Sequence, residues 1–251
     1  RLFNKALPTR EINLPMSRQE FTQGLKDYLT LMAVSVLIGE NCQIGKGSIR
    51  VMVGQGVGPY SKTAVIDKIN VSVEACFGRK YLIEEVLNSG GISVAAGPYQ
   101  RFEEFNGKHA SNYGEGGRIG KTAERLGAKD ALLFSPFLVH DPSRTERLAC
   151  YKNKGKELKD VMLQLALADG LGAEILAVTK EETILLPPMD VNRLGGVTAN
   201  YVIGPLANRL EIPARICSFS LGNILSGDSS GLFIAGNAAR IRPINQVIMH
   251  D

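Results

Sequence analysis

A chain of 251 residues, 44% apolar and 22% charged, is long enough to bury a sizeable core and too apolar for bulk disorder. Aromatic residues make up only 6%, with no Trp, which argues against a stacking platform for single-stranded nucleic acid. The net charge of +4 is scattered, and 27 glycines suit the tight loop-to-helix junctions of an α/β fold.

The chain begins at Arg1 rather than Met, so the numbering is expected to start inside a longer product. Residues 1 to 16 carry Pro8 and Pro15 and read as an extended arm. Ser17-Arg18-Gln19-Glu20 is a capping box that opens a helix, with apolar residues at Phe21, Leu25, Tyr28, Leu29 and Met32 and a stop at Gly39. Ser48 to Val53 reads as a strand that runs into Gly54-Gln55-Gly56-Val57-Gly58, and Ala64 to Phe77 as an extended segment. Arg79 to Leu87 predicts a helix and Ile92 to Ala96 a strand. Residues 97 to 122 are polar and glycine-dotted and predict a long irregular loop.

After a short helix over Thr122 to Leu126, stopped by Gly127, an apolar strand spans Ala131 to Val139, broken at Pro136. Lys156 to Asp169 predicts a central helix with Leu158, Val161, Met162, Leu165 and Ala166 on its buried side. Glu174 to Thr179 and Thr183 to Leu186 predict strands, and Val197 to Arg209 a helix. Ala214 to Phe219 and Leu232 to Ala235 predict further strands, with Ile244 to Met249 as a final edge strand. This order predicts an α/β fold with an open, mostly parallel sheet and flanking helices, carrying an antiparallel edge or extra strand section near its N-terminal half. The domain expectation is an N-terminal arm over 1–16 and one α/β domain over 17–251.

The best chemical lead is the junction before the Val197 helix. A strand that feeds a loop ending in two glycines at a helix start leaves backbone amides and positive partial charge pointing outward. Gly195 and Gly196 permit close approach, Thr198 offers a hydroxyl, and Arg193 can neutralise a phosphate or carboxylate. An exposed loop arginine of this kind would carry little of the fold's stability. His140-Asp141 ends an apolar strand, where α/β folds place catalytic groups, and is the candidate proton-transfer pair.

Other motifs are weaker. Gly114 to Thr122 has five residues between Gly114 and the Gly120 before Lys121-Thr122, where a phosphate loop needs four between its glycines, and no apolar strand precedes it. It reads instead as a flexible basic loop. Gly227-Asp228-Ser229-Ser230-Gly231 resembles the nucleophile segment of trypsin-like proteases over that stretch alone, without the accompanying His and Asp, and reads as a tight turn. His109, His140 and His250 lack metal-ligand spacing, so no metal site is expected. Cys42, Cys76, Cys150 and Cys217 share no short spacing and predict a reduced, cytoplasmic protein. The longest apolar run, Leu29 to Ile38, is too short to cross a membrane.

The leading functional expectation is an α/β enzyme, a transferase by class, that holds a phosphorylated or carboxylate-bearing small molecule at Arg193, Gly195, Gly196 and Thr198. A homo-oligomer is expected, and no cofactor is identified. The alternative is a non-catalytic assembly or RNA-binding subunit, with the 1–16 arm and 97–122 loop against neighbours and the cluster Lys152, Lys154, Lys156 and Lys159 against backbone phosphates.

Overall fold

The computed structural model describes residues 17–39, 48–55, 69–76, 90–101, 110–151, 155–191, 193–236 and 239–250. The 1–16 arm, the predicted helix over 79–87, residues 102–109, Cys42, and Lys152 and Lys154 lie outside them. The chain divides into two compact units, Arg1–Ile83 and Glu84–Asp251.

In the first unit, α1 (Arg18–Gly39) begins at the capping box: Glu20 Oε2 accepts from the Ser17 amide at 2.6 Å, and Ser17 Oγ from the Glu20 amide at 3.2 Å. Those bonds hold the exposed Glu20 carboxyl below its ordinary pKa. β1 (Ser48–Gln55) pairs antiparallel with β2 (Ile69–Cys76), with Ser48 opposite Cys76 and Gln55 opposite Ile69.

The second unit holds one eight-stranded sheet in the order β5-β4-β3-β10-β9-β6-β7-β8. Its strands are β3 (Ile92–Gln100), β4 (Asp130–Leu138), β5 (Leu165–Gly170), β6 (Glu174–Thr179), β7 (Ile184–Leu186), β8 (Ala214–Ile216), β9 (Ser229–Gly236) and β10 (Arg240–Met249). The helices are α2 (Ala110–Arg125), α3 (Lys156–Met162), α4 (Val197–Tyr201), α5 (Ala207–Arg209) and α6 (Leu221–Leu225).

The sheet is mixed and curled, which corrects the expectation of an open, mostly parallel one. β3 is parallel to β4 and β10, and β7 to β8, whereas β4–β5, β6–β7, β6–β9 and β9–β10 are antiparallel. Parallel neighbours in sequence need a crossover, supplied by α2 between β3 and β4. The few residues between β6 and β7, and between β9 and β10, allow only antiparallel hairpins.

Four further expectations are corrected. The predicted central helix ends at Met162, and Leu165–Gly170 is instead a strand buried along its whole length. Leu and Ala prefer helix by less than about 1 kcal/mol per residue, and burial on both faces of a sheet outweighs that. β10 is not an edge strand but sits between β3 and β9; its polar residues, Arg240, Arg242 and Asn245, leave by its faces and not its hydrogen-bonding edges. β4 continues through Pro136 as one strand, and the break expected there is a register shift in its ladder with β5 between Phe134 and Leu138. The loop predicted over 97–122 gives way to β3 as far as Gln100 and to α2 from Ala110, so the glycine run is helical. Gly116 and Gly120 lie where an added Cβ would meet Leu171 at 3.3 and 3.4 Å, so their smallness lets α2 pack closely. The helix ends as predicted at Gly127, whose φ of +79° is the left-handed conformation a helix stop favours.

The main core gathers Leu132 and Phe134 of β4, Leu165 and Leu167 of β5, Ile175 of β6, and Leu158 and Met162 of α3. A second cluster packs Ile119 and Ala123 of α2 onto Ala95, Ala131 and Leu133. Val197 to Arg209 is helical as predicted but passes through a π-helical turn at Val202–Leu206 that contains Pro205. Proline lacks an amide hydrogen and crowds the preceding turn, which accounts for the distortion.

Candidate functional site

The loop that leads into α4 sits on a buried ionic cluster built from the sheet. β5 ends in Asp169-Gly170, and after three intervening residues β6 opens with Glu174, so two carboxylates flank one tight turn. Arg101 follows β3, and its Nη1 lies 2.6 Å from Asp169 Oδ2. The other partner comes from the loop itself: Arg193 Nη1 donates to Glu174 Oε1 at 2.7 Å. Arg193 and Glu174 are 2% and 3% exposed, so this pair lies away from water.

Both carboxylates also take backbone amides from the loop. Leu194 donates to Asp169 Oδ2 at 3.2 Å, and Gly196 donates to Glu174 Oε1. Gly195 between them has φ +70°, a conformation open to glycine at little cost. A side chain on Gly196 would collide with the Glu174 carboxylate. Burial pushes the Asp169 carboxyl up to about 7; Arg101 opposes the rise, the charge of Glu174 adds to it, and the Leu194 amide and Arg193 oppose it. Glu174 Oε2 and Arg193 Nε are buried without hydrogen-bond partners.

Arg193, Gly195 and Gly196 are therefore brought together, and the anion they hold is a carboxylate of the chain itself. Thr198 sits one position inside α4. Gly196 is the N-cap and has no side chain with which to cap the helix, while in the first turn Val197 is 62% exposed and Ala199 is buried. Glu174, Asp169 and Arg101 were not singled out in sequence. Their signal is charge inside apolar strands, Leu165-Ala166-Leu167-Ala168-Asp169 and Glu174-Ile175-Leu176-Ala177, where a buried acid demands a partner.

His140 and Asp141 lie elsewhere. His140 follows β4 and lines a cavity of about 540 Å³ with Asp160, Gln164, Ser220, Asn223 and Ser226, which includes none of Arg193, Gly195, Gly196 or Thr198. Asp141 is exposed and accepts a 2.5 Å hydrogen bond from Ser143 Oγ, not one from His140. Among the described residues no group of three or more His, Cys, Asp or Glu could hold a metal ion, and no helix is long and apolar enough to cross a membrane.

No protein-family model matches the sequence, and no curated protein matches it. Solved structures do match, and aminotransferases are among them. A branched-chain amino acid aminotransferase from Escherichia coli aligns with a TM-score of 0.64 at 18% identity over 96% of this chain and 66% of that one. The T.th. branched-chain amino acid aminotransferase, solved with pyridoxamine 5′-phosphate, gives 0.69 at 19% over 98% and 68%. That of the archaeon Thermoproteus uzoniensis, solved with norvaline, gives 0.65 at 18% over 98% and 70%. The chain spans about two thirds of the length of these structures. At such identities the likeness establishes the fold: an α/β fold shared with branched-chain aminotransferases.

Proposed function

We propose that the chain is a pyridoxal-phosphate-dependent transferase of the aminotransferase kind, with the cofactor's phosphate at the start of α4. The observation that carries this reading is the match of nearly the whole chain to aminotransferases, one of them holding pyridoxamine 5′-phosphate. The residues present fit the phosphate end of such a group. Gly195 and Gly196 keep the backbone bare, the helix start has no side-chain cap, and Thr198 brings a hydroxyl to the first turn. Bound there, the cofactor would supply an electron sink for moving an amino group.

The chain's own residues bind and orient. The first-turn amides and the helix dipole favour a dianionic phosphate, and Arg193 offsets the Glu174 charge directly behind them. His140 and Asp141 are assigned no part, because the cavity that His140 lines excludes the loop residues.

The test is titration of the purified chain with pyridoxal 5′-phosphate, followed by absorbance, with inorganic phosphate as competitor. Saturable, phosphate-competed binding is expected. Thr198→Ala should weaken it by about 0.5–1.5 kcal/mol, the scale of one hydrogen bond. Absence of saturable binding by the wild-type chain would overturn the reading.

A further inference from the structure

Glu174 Oε1 takes two donors from one loop, the guanidinium of Arg193 and the amide of Gly196. A buried acid whose only task was to neutralise a buried arginine would need the guanidinium alone. This one reaches from the first residue of β6 to the N-cap of α4, twenty-two positions on. Asp169 performs a matching task two residues earlier by accepting the Leu194 amide. The inward-facing amides of the loop are thus held by carboxylates. Gly195 supplies the reversal in direction, and the amides that follow Gly196 belong to the first turn of α4, in which Val197 is exposed and Ala199 is buried.

A carboxylate behind a phosphate site would ordinarily repel the phosphate. Arg193 removes that penalty, because the Glu174–Arg193 pair is neutral as a unit and both members are almost wholly buried. This gives Arg193 a task in anion binding that needs no contact with the anion.

We propose that Glu174 is the positioning residue of this site: through Oε1 it fixes the Gly196 amide and so aims the first turn of α4 at a bound phosphate, while Arg193 cancels its charge. The inference rests on the reading of residues 193 to 198 as the phosphate-holding segment.

Glu174→Gln and Glu174→Met have similar volumes and both remove the charge, but only Gln keeps an oxygen acceptor. Two readouts are taken on each: amide hydrogen exchange at Gly196, Val197 and Thr198, and the Kd for pyridoxal 5′-phosphate. Both variants leave Arg193 without its counter-charge, so they are compared with each other: Glu174→Met should exchange faster than Glu174→Gln at these amides and bind with a Kd about tenfold or more higher. The amides of Leu167 and Ile175 serve as the fold control. Equal behaviour of the two variants overturns the proposal. If the variants differ in exchange but the wild type binds no pyridoxal phosphate, the positioning of the helix start stands and the cofactor reading falls. Should neither variant fold, exchange in the wild type decides: a Gly196 amide as protected as that of Ile175 supports the tether, and one that exchanges at an open-loop rate overturns it.

Discussion

Arg193 carries its charge into a place 2% exposed, where Glu174 is its ion-pair partner. Removing one member of such a pair leaves the other charged and dry, which costs far more than losing a surface contact. Arg193→Ala is therefore expected to destabilise the fold by about 3–5 kcal/mol, measured by chemical denaturation. A loss below about 1 kcal/mol would be the behaviour of the exposed loop arginine that the sequence suggested. Asp169 makes a different prediction, in pH. Its folded-state carboxyl is raised from the ordinary 3.8 to about 7, so the folded chain holds that proton more tightly than the unfolded one. The stability this contributes is fully present below the ordinary carboxylate range and is lost as pH rises towards about 7. Comparing wild type with Asp169→Asn across pH 4 to 8 should thus show a falling difference that levels off above about 7. A difference curve flat across that window would show that burial does not raise this carboxyl.

At the scale of elements, legibility followed how local the cause was. The α1 capping box, the helix stop at Gly127 and the strands β6 and β7 are set by neighbouring residues and were readable from them. The Gly195-Gly196 junction was legible for the same reason. The acids behind it were not, because Glu174 and Asp169 meet the loop only once β5 and β6 stand in one sheet. β5 escaped notice because Leu and Ala in alternation satisfy a helix stripe and a buried strand equally well. α2 escaped because Gly114, Gly116, Gly117 and Gly120 argue locally against a helix, and only packing on Leu171 and on the Ala95–Leu133 cluster rewards it. That conflict yields a test. An added Cβ at Gly117 would meet nothing within 4 Å. Gly117→Ala should therefore stabilise the chain by about 0.5–1 kcal/mol, read as a rise in thermal midpoint. Gly116→Ala should give less, because Leu171 must yield to it. A destabilising Gly117→Ala would show that this stretch is not held as helix.

At the scale of the second unit, β10 joins parts of the sheet that no other strand connects. Residues 240 to 244 pair antiparallel with β9, and residues 244 to 249 pair parallel with β3. On one side stand β5, β4 and β3, and on the other β9, β6, β7 and β8. The register of Ile244 against Ile92 spans almost the whole unit, so the N-terminal strand of this sheet waits for the C-terminal one. Without β10, the edge of β3 would lie open along Ile92, Val94 and Ala96, which are buried in the intact sheet. Open backbone edges beside apolar side chains pair with other chains. A chain that stops after Gly236 should therefore lose its cooperative thermal transition and aggregate at concentrations where the full chain does not. A chain that stops after Met249 keeps every pair of β10 and gives up the bond from the His250 amide to the Ala96 carbonyl, so it should still fold. A sharp transition from the chain ending at Gly236 would mean that the two halves of the sheet are each stable alone, and β10 would then be an addition to the fold and not its junction.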